Sequence, residues 1–131
     1  MHSCRLEHKD DYYETLVKWW GGWNFPVLAK SSLPDRIFVV SSDGIDLYAM
    51  PVYFGDSDLC WIGFVTSNIE APKELRSGAM NILNKYTEMY MKSIGARLIM
   101  TVSGTPVLMK LFSDEDYIVS GVNYNEYIKL L

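Results

Sequence analysis

Cysteine, histidine and basic charge are all scarce in this chain, and each scarcity closes off a class of function. The two cysteines, Cys4 and Cys60, are too few and too far apart for a disulfide framework or a C-x-x-C site. Reduced thiols of a cytoplasmic protein are therefore expected. The two histidines, His2 and His8, cluster with Cys4. No further histidine exists to complete the three or four ligands of a metal centre, so these read as scattered strand and surface residues and no metal is expected. Lys and Arg number 12 against 16 Asp and Glu, a formal net charge of -4. A general nucleic-acid binder, which needs a basic stripe interleaved with aromatics, is disfavoured. No apolar run approaches the roughly 18 residues of a membrane span, and Met1 to Arg5 lacks the apolar core of a signal peptide.

What the chain does contain is apolar and aromatic. Hydrophobic residues make up 49% and aromatics 14% of 131 residues, which excludes disorder. One domain over 1–131 with a sizeable core is expected.

The stretch from Trp61 to Ser103 organises the rest. It reads as an apolar strand (Trp61 to Thr66), a polar loop, one long helix (Pro72 to Ile94), Gly95, and a second apolar strand (Leu98 to Val102). A strand–helix–strand unit of that length predicts a parallel pair joined by a right-handed crossover. The loop before the helix then presents unpaired N–H groups to an anionic ligand. Along the helix, Leu75, Ala79, Ile82, Leu83, Tyr86, Met89 and Tyr90 form the apolar stripe. Lys73, Arg76, Asn81, Asn84, Lys85 and Glu88 fall on or near the other side.

Upstream, Ser3 to His8 reads as a short edge strand. Asp11 and Glu14 have capping-box spacing for a helix whose inner face carries Tyr12, Leu16, Trp19 and Trp20, ending at Gly21-Gly22. Aromatics at helical spacing are usually core, so Trp19, Trp20, Trp23 and Phe25 read as packing rather than as a ligand platform. Trp23 is the one best placed to face a ligand. A short helical turn runs to Ser31-Ser32, and Leu33-Pro34 stops it. Ile37 to Val40, Asp46 to Phe54 and Leu59 to Thr66 read as an antiparallel meander, with turns at Ser42-Asp43-Gly44 and Gly55 to Asp58. Asp56 and Asp58 lack the remaining ligands of a calcium loop and read as a solvated turn. Downstream, Pro106 to Phe112 is a short helix capped by Thr105. Tyr117 to Val119 and Tyr124 to Leu130 are read as two final strands, the latter able to pair between the subunits of a homodimer.

This order, with its local signatures, resembles the GCN5-related N-acetyltransferase (GNAT) superfamily, in particular its small, divergent phage and prophage members. The signatures are the Trp19-Trp20 pair ending the first helix, Leu33-Pro34 before the meander, Asn68 after the central strand, and Ser93 to Arg97 with its glycine. The resemblance runs from Leu6 to Leu131. It implies an α+β fold: a mixed, mostly antiparallel sheet of six to seven strands, helices on both faces, and a central parallel pair that splays apart. It also implies acetyl-CoA as co-substrate, with its pantetheine arm along the backbone of Phe64, Val65 and Thr66 and its pyrophosphate on the following loop.

Placing the family's pyrophosphate motif (Gln/Arg-x-x-Gly-x-Gly/Ala) here puts Glu74 at the basic position, Ser77 at the first glycine and Ala79 at the last small residue. Ala79 fits and Ser77 is small, while Glu74 has the wrong charge. Lys73, Arg76 and Gly78 are the neighbours that can serve phosphates instead. The family's general-acid tyrosine falls on Phe112, which cannot donate a proton; nearby Tyr117 replaces an inward-packing aromatic and reads as core. Asp43, Asp56, Asp58 and Glu70 are acids near the implied acceptor cleft, and Tyr48, Tyr53 and Tyr124 its tyrosines, each also at home as a turn, surface or strand residue. The implied function is direct acetyl transfer to an amine. The rival is an acyl-CoA-binding or protein-interaction module on the same fold.

Overall fold

The computed structural model describes residues 1–103, 105–122, 125 and 127–131. Its elements are β1 (His2–His8), α1 (Lys9–Trp23), a 3-10 turn (Lys30–Ser32), β2 (Arg36–Ser42), β3 (Ile45–Phe54), β4 (Leu59–Ile62), β5 (Thr66–Ser67), α2 (Lys73–Arg76), α3 (Ala79–Ser93), β6 (Leu98–Thr101) and α4 (Pro106–Asp114). The sheet has six strands in the order β1-β2-β3-β4-β6, with β5 pairing to β3. Every pair is antiparallel except β4 with β6.

Strand alternation splits the core into two layers. On one side Ile37, Val39 and Ala49 pack against Tyr12, Leu16, Trp19 and Trp20 of α1. On the other, Phe38, Val40, Met50, Val52 and Ile62 meet Ala79, Met80, Leu83 and Met91 of α3 and Leu111 and Phe112 of α4. β2 is a continuous apolar run because helices cover both of its faces. The β2–β3 turn is built on Asp43 (φ 53) and Gly44 (φ 76), the positive-φ pair of a tight two-residue hairpin.

Several boundaries differ from those the sequence predicts. His8 caps α1, its Nδ1 accepting from Asp10 N at 3.1 Å, so Asp11 lies inside the first turn. Gly21-Gly22 also lies inside α1, which ends at Asn24 in the left-handed region (φ 57). A Cβ on Gly22 would stand 2.8 Å from Ile69 Cγ2, so close packing explains that glycine.

The predicted single helix from Pro72 is two helices. Pro72 caps the four-residue α2, and Gly78 (φ 76) breaks the chain before α3. The buried stripe of α3 is Ala79, Met80, Leu83, Asn84, Thr87 and Met91; Ile82 and Met89 face outward, and Asn84 lies inside. At the C-terminal end Tyr117 to Val119 is not a strand, and the described residues after it form none. Of the expected strand Tyr124 to Leu130, Tyr124 and Glu126 lie outside the described residues.

Candidate active site

The predicted strand Leu59 to Thr66 is interrupted, and the interruption creates the site. β4 pairs with β6 only from Leu59↔Leu98 to Ile62↔Thr101. Against β3 the register is Val52↔Ile62 before the interruption and Ala49↔Thr66 after it. Three residues of one strand (Gly63, Phe64, Val65) thus face two of the other (Met50, Pro51), a bulge that begins where the pairing with the parallel neighbour ends. Thr101 Oγ1 donates to Ile62 O at 3.0 Å and closes the paired region at the point of divergence.

Phe64 occupies the left-handed region at φ 57. For a phenylalanine this costs about 1–2 kcal/mol, and such strain collects at functional sites. Gly63 N donates to Pro51 O at 3.2 Å, but among the described residues neither Phe64 N nor Val65 N donates to a backbone carbonyl. Among the described residues two N–H groups are therefore left unpaired just past the end of the β4–β6 pairing. Thr66 is buried; its hydroxyl donates to Phe64 O at 3.0 Å and accepts from Trp20 Nε1 at 3.1 Å. Val65 packs toward the α3 layer, whereas the Phe64 ring lies edge-on to Tyr53 at 6.3 Å.

The second part of the site is the α2–α3 junction. The backbone N–H groups of Gly78, Ala79, Met80 and Asn81 have no backbone acceptor among the described residues, and no side chain caps α3. Fifteen residues of helix stand behind them, so their partial positive charge favours an anion. Lys73, Ser77 and Gly78 are exposed here, and Ala79 is buried against the core. The Arg76 side chain is half-buried, and among the described residues its buried Nε has no hydrogen-bond partner. Glu74 is exposed on α2. His2 fixes this junction from β1, its Nε2–H donating to Leu75 O at 2.8 Å. Sequence reasoning set His2 aside as scattered, because its partner is 73 residues away.

The residue that the resemblance puts at a general-acid position, Phe112, belongs to the packing. Phe112 is buried, its ring 4.8 Å from that of Tyr117. Asp116 (φ 64) takes the left-handed turn that a glycine would normally take. The Tyr117 hydroxyl points inward and donates to Asn84 Oδ1 at 3.2 Å, and Asn84 Nδ2 donates to Glu88 Oε2 at 2.6 Å. Burial, with the nearby Glu88 charge, pushes the Tyr117 phenol up. Burial also raises the Glu88 carboxyl, with Glu115 adding to it.

The acids and tyrosines named as candidates are mostly engaged elsewhere. Asp43 sits in the β2–β3 turn. Asp56 and Asp58 lie at the start of β4, the opposite end from the divergence, and Asp58 O accepts from Arg97 N. Glu70 pairs with Lys18 at 3.2 Å. Tyr48 packs against the α3 layer, and Tyr53 donates to Ser32 O at 2.9 Å. Tyr124 lies outside the described residues. Asp46, absent from the sequence reading as a site, takes two bonds from Arg5 at 2.8 Å each and one from Tyr12 at 2.8 Å. Burial alone would raise its carboxyl, but those bonds and the Arg5 charge hold it below the usual range.

Comparison with known proteins turns on this geometry. No family model matches the chain, and no curated protein does. Solved structures do. An aminoglycoside acetyltransferase from an uncultured soil metagenomic sample, solved with sisomicin, has a TM-score of 0.71 at 11% identity, covering 99% of this chain and 96% of its own. The ribosomal-protein-S18-alanine N-acetyltransferase of Escherichia coli has 0.69 at 13%, covering 88% and 77%. The fold is that of the GNAT acetyltransferases. A transcriptional regulator from Bacillus halodurans C-125 shares it at 0.68 and 12% identity, covering 98% of this chain and 100% of its own. The GNAT fold thus carries more than one described role, and the choice of function rests on the site. Among the described residues no helix is long and apolar enough to cross a membrane, and no cluster of potential metal ligands is present.

Proposed function

We propose that this chain is an acetyl-CoA-dependent N-acetyltransferase that transfers the acetyl group directly to a primary amine. The observation that carries this reading is that the β4–β6 pairing ends at Ile62↔Thr101, with the Phe64 and Val65 N–H groups unpaired beside it among the described residues. A pantetheine arm has amide groups that pair with such donors, as an added strand would. Thr66 belongs to the same wall and holds the bulge closed through its bond to Phe64 O. At the α2–α3 junction the pyrophosphate meets free N–H groups of Gly78 and Ala79, with Lys73, Arg76 and Ser77 beside them. The unpartnered Nε of Arg76 supports an anion at this place, and Glu74 is turned to solvent.

The chemistry asked of the chain is mostly positioning. The amine nitrogen forms a bond to the thioester carbon, the C–S bond breaks, and the proton leaves the nitrogen for solvent or the departing thiolate. Backbone N–H groups of the bulge stabilise charge on the carbonyl oxygen. Holding the two reactants in line supplies much of the acceleration without a dedicated acid, which suits Phe112.

The second reading, an acyl-CoA-binding module without turnover, is favoured by one observation: Tyr117 donates to Asn84 and away from any transfer site. A thermal-shift titration with acetyl-CoA and desulfo-CoA tests the common part of both. A ligand that binds only the folded state raises Tm with concentration. Absence of any shift at millimolar acetyl-CoA would rule out both readings. A shift together with acetyl release to amines supports the enzyme; a shift without it supports the module.

A further inference from the structure

We infer that the acceptor is an amine carried on a flat, apolar frame, an arylalkylamine rather than a polycation. This rests on the acetyl-CoA reading above and assigns the other half of the same site. On the α1 side of the bulge are two aromatic pairs, in which Trp23, Phe25 and Phe64 are exposed and Tyr53 is partly buried. Trp23 and Phe25 stack at 6.2 Å with 17° between their planes, and Phe64 meets Tyr53 edge-on at 6.3 Å. The Trp23 indole N–H donates to Ser67 O at 2.9 Å, which ties the first pair to β5 immediately after the bulge. Phe25 and Phe64 are 49% and 48% exposed, too open to be explained as core.

The rings are held there by specific backbone features. The positive φ of Phe64 places its ring beside Tyr53 while Val65 packs toward the opposite layer. Gly63 lets Trp61 lie over the backbone: a Cβ there would stand 2.7 Å from Trp61 Nε1 and 3.4 Å from the Tyr53 ring. The Phe64–Tyr53 pair therefore lies at the bulge itself and the Trp23–Phe25 pair beside Ser67, two residues beyond Val65, where the thioester is proposed to lie.

Charge separates the candidate acceptors. Recognition of a polycation needs free carboxylates. Among the described residues of this stretch, Asp46 is held by Arg5 and Tyr12, and Glu70 faces Lys18 in an exposed pair. Aromatic faces instead offer stacking to a planar frame and attraction to a single ammonium.

Calorimetric titration of the whole chain, with and without desulfo-CoA, tests this with tryptamine, spermidine and kanamycin as probes. Tryptamine is expected to bind at least tenfold more tightly than either polycation. Trp23→Leu, or Phe25→Leu should the first fail to fold, is expected to weaken tryptamine about tenfold while the acetyl-CoA thermal shift stays intact. Equal or tighter binding of spermidine or kanamycin, with the acetyl-CoA shift present, overturns the acceptor assignment alone. Loss of the acetyl-CoA shift in the unaltered chain overturns the reading on which it rests.

Discussion

The Trp20 indole N–H donates to the buried Thr66 hydroxyl at 3.1 Å, joining α1 to the strand segment that resumes after the bulge. Thr66 in turn donates to Phe64 O at 3.0 Å, so the first helix and the strained residue are linked through one side chain. The aromatic pair at the end of α1 thus does more than fill the core. It sets where the central strand resumes.

Trp20→Phe keeps most of the buried area and removes that donor. The loss is expected to be about 1 kcal/mol, or roughly 4 °C in Tm for a chain of this size. Thr66→Val should cost a similar amount, and the double variant less than the sum, because both remove the same bond. Chemical denaturation of the three variants checks this, and strict additivity would show that the bond contributes nothing.

Asp46 ties three elements together. Arg5 reaches it from β1 across β2, and Tyr12 reaches it from α1. Its folded carboxyl lies below the usual range, so its contribution is present above the unfolded pKa and is lost as pH falls through the folded one. Asp46→Asn should therefore cost about 1–2 kcal/mol at pH 7 after solvent screening, with the difference from the unaltered chain shrinking below pH 4. Equal stability of the two at pH 7 would remove the clamp from the account.

Glu88 has the opposite sign. Burial and Glu115 raise its folded carboxyl, so the folded state holds the proton more tightly than the unfolded one. Its contribution is present below the unfolded pKa and is lost as pH rises through the folded value. Glu88→Gln keeps an acceptor for Asn84 Nδ2 and removes the charge. The variant is expected to match the unaltered chain near pH 4 and to exceed it in stability at pH 7. A variant less stable at neutral pH would mean that the charged form of Glu88 supports the Asn84 bond.

These relationships also show what could be read from the chain alone. The Asp43-Gly44 hairpin, the Trp19-Trp20 core face and the parallel pair follow from local residue chemistry and apolar periodicity, and all three are present. Asn84 reads as polar surface in the sequence, whereas in the fold Tyr117, 33 residues away, reaches it through a turn at Asp116. No sequence pattern marks Phe64 for positive φ, since that conformation is imposed by the register shift against β3. Apolar and aromatic residues over Tyr117 to Val119 suggest a strand, yet Ile118 and Val119 are exposed at 90% and 76%. Such a run signals a strand only where an edge takes it up.

Gly78 shows most directly how a local break becomes a ligand site. Helical periodicity runs through it without a gap, and a lone glycine inside such a pattern costs only about 1 kcal/mol. Its φ of 76 nonetheless ends α2 and starts α3 anew, which frees the N–H groups of the next residues. Nothing lies within 4 Å of a Cβ built there, so a side chain would enter open space in front of those donors. Gly95, after α3, has φ 93 and equally open surroundings. Gly78→Val and Gly95→Val should each lose about 1–2 kcal/mol through the positive φ. Only the first should weaken acetyl-CoA, by at least tenfold in a thermal-shift or calorimetric titration. If both variants bind acetyl-CoA as the unaltered chain does, the phosphates do not sit at the start of α3; if both bind equally weakly, the loss reflects stability and the loop has no special role.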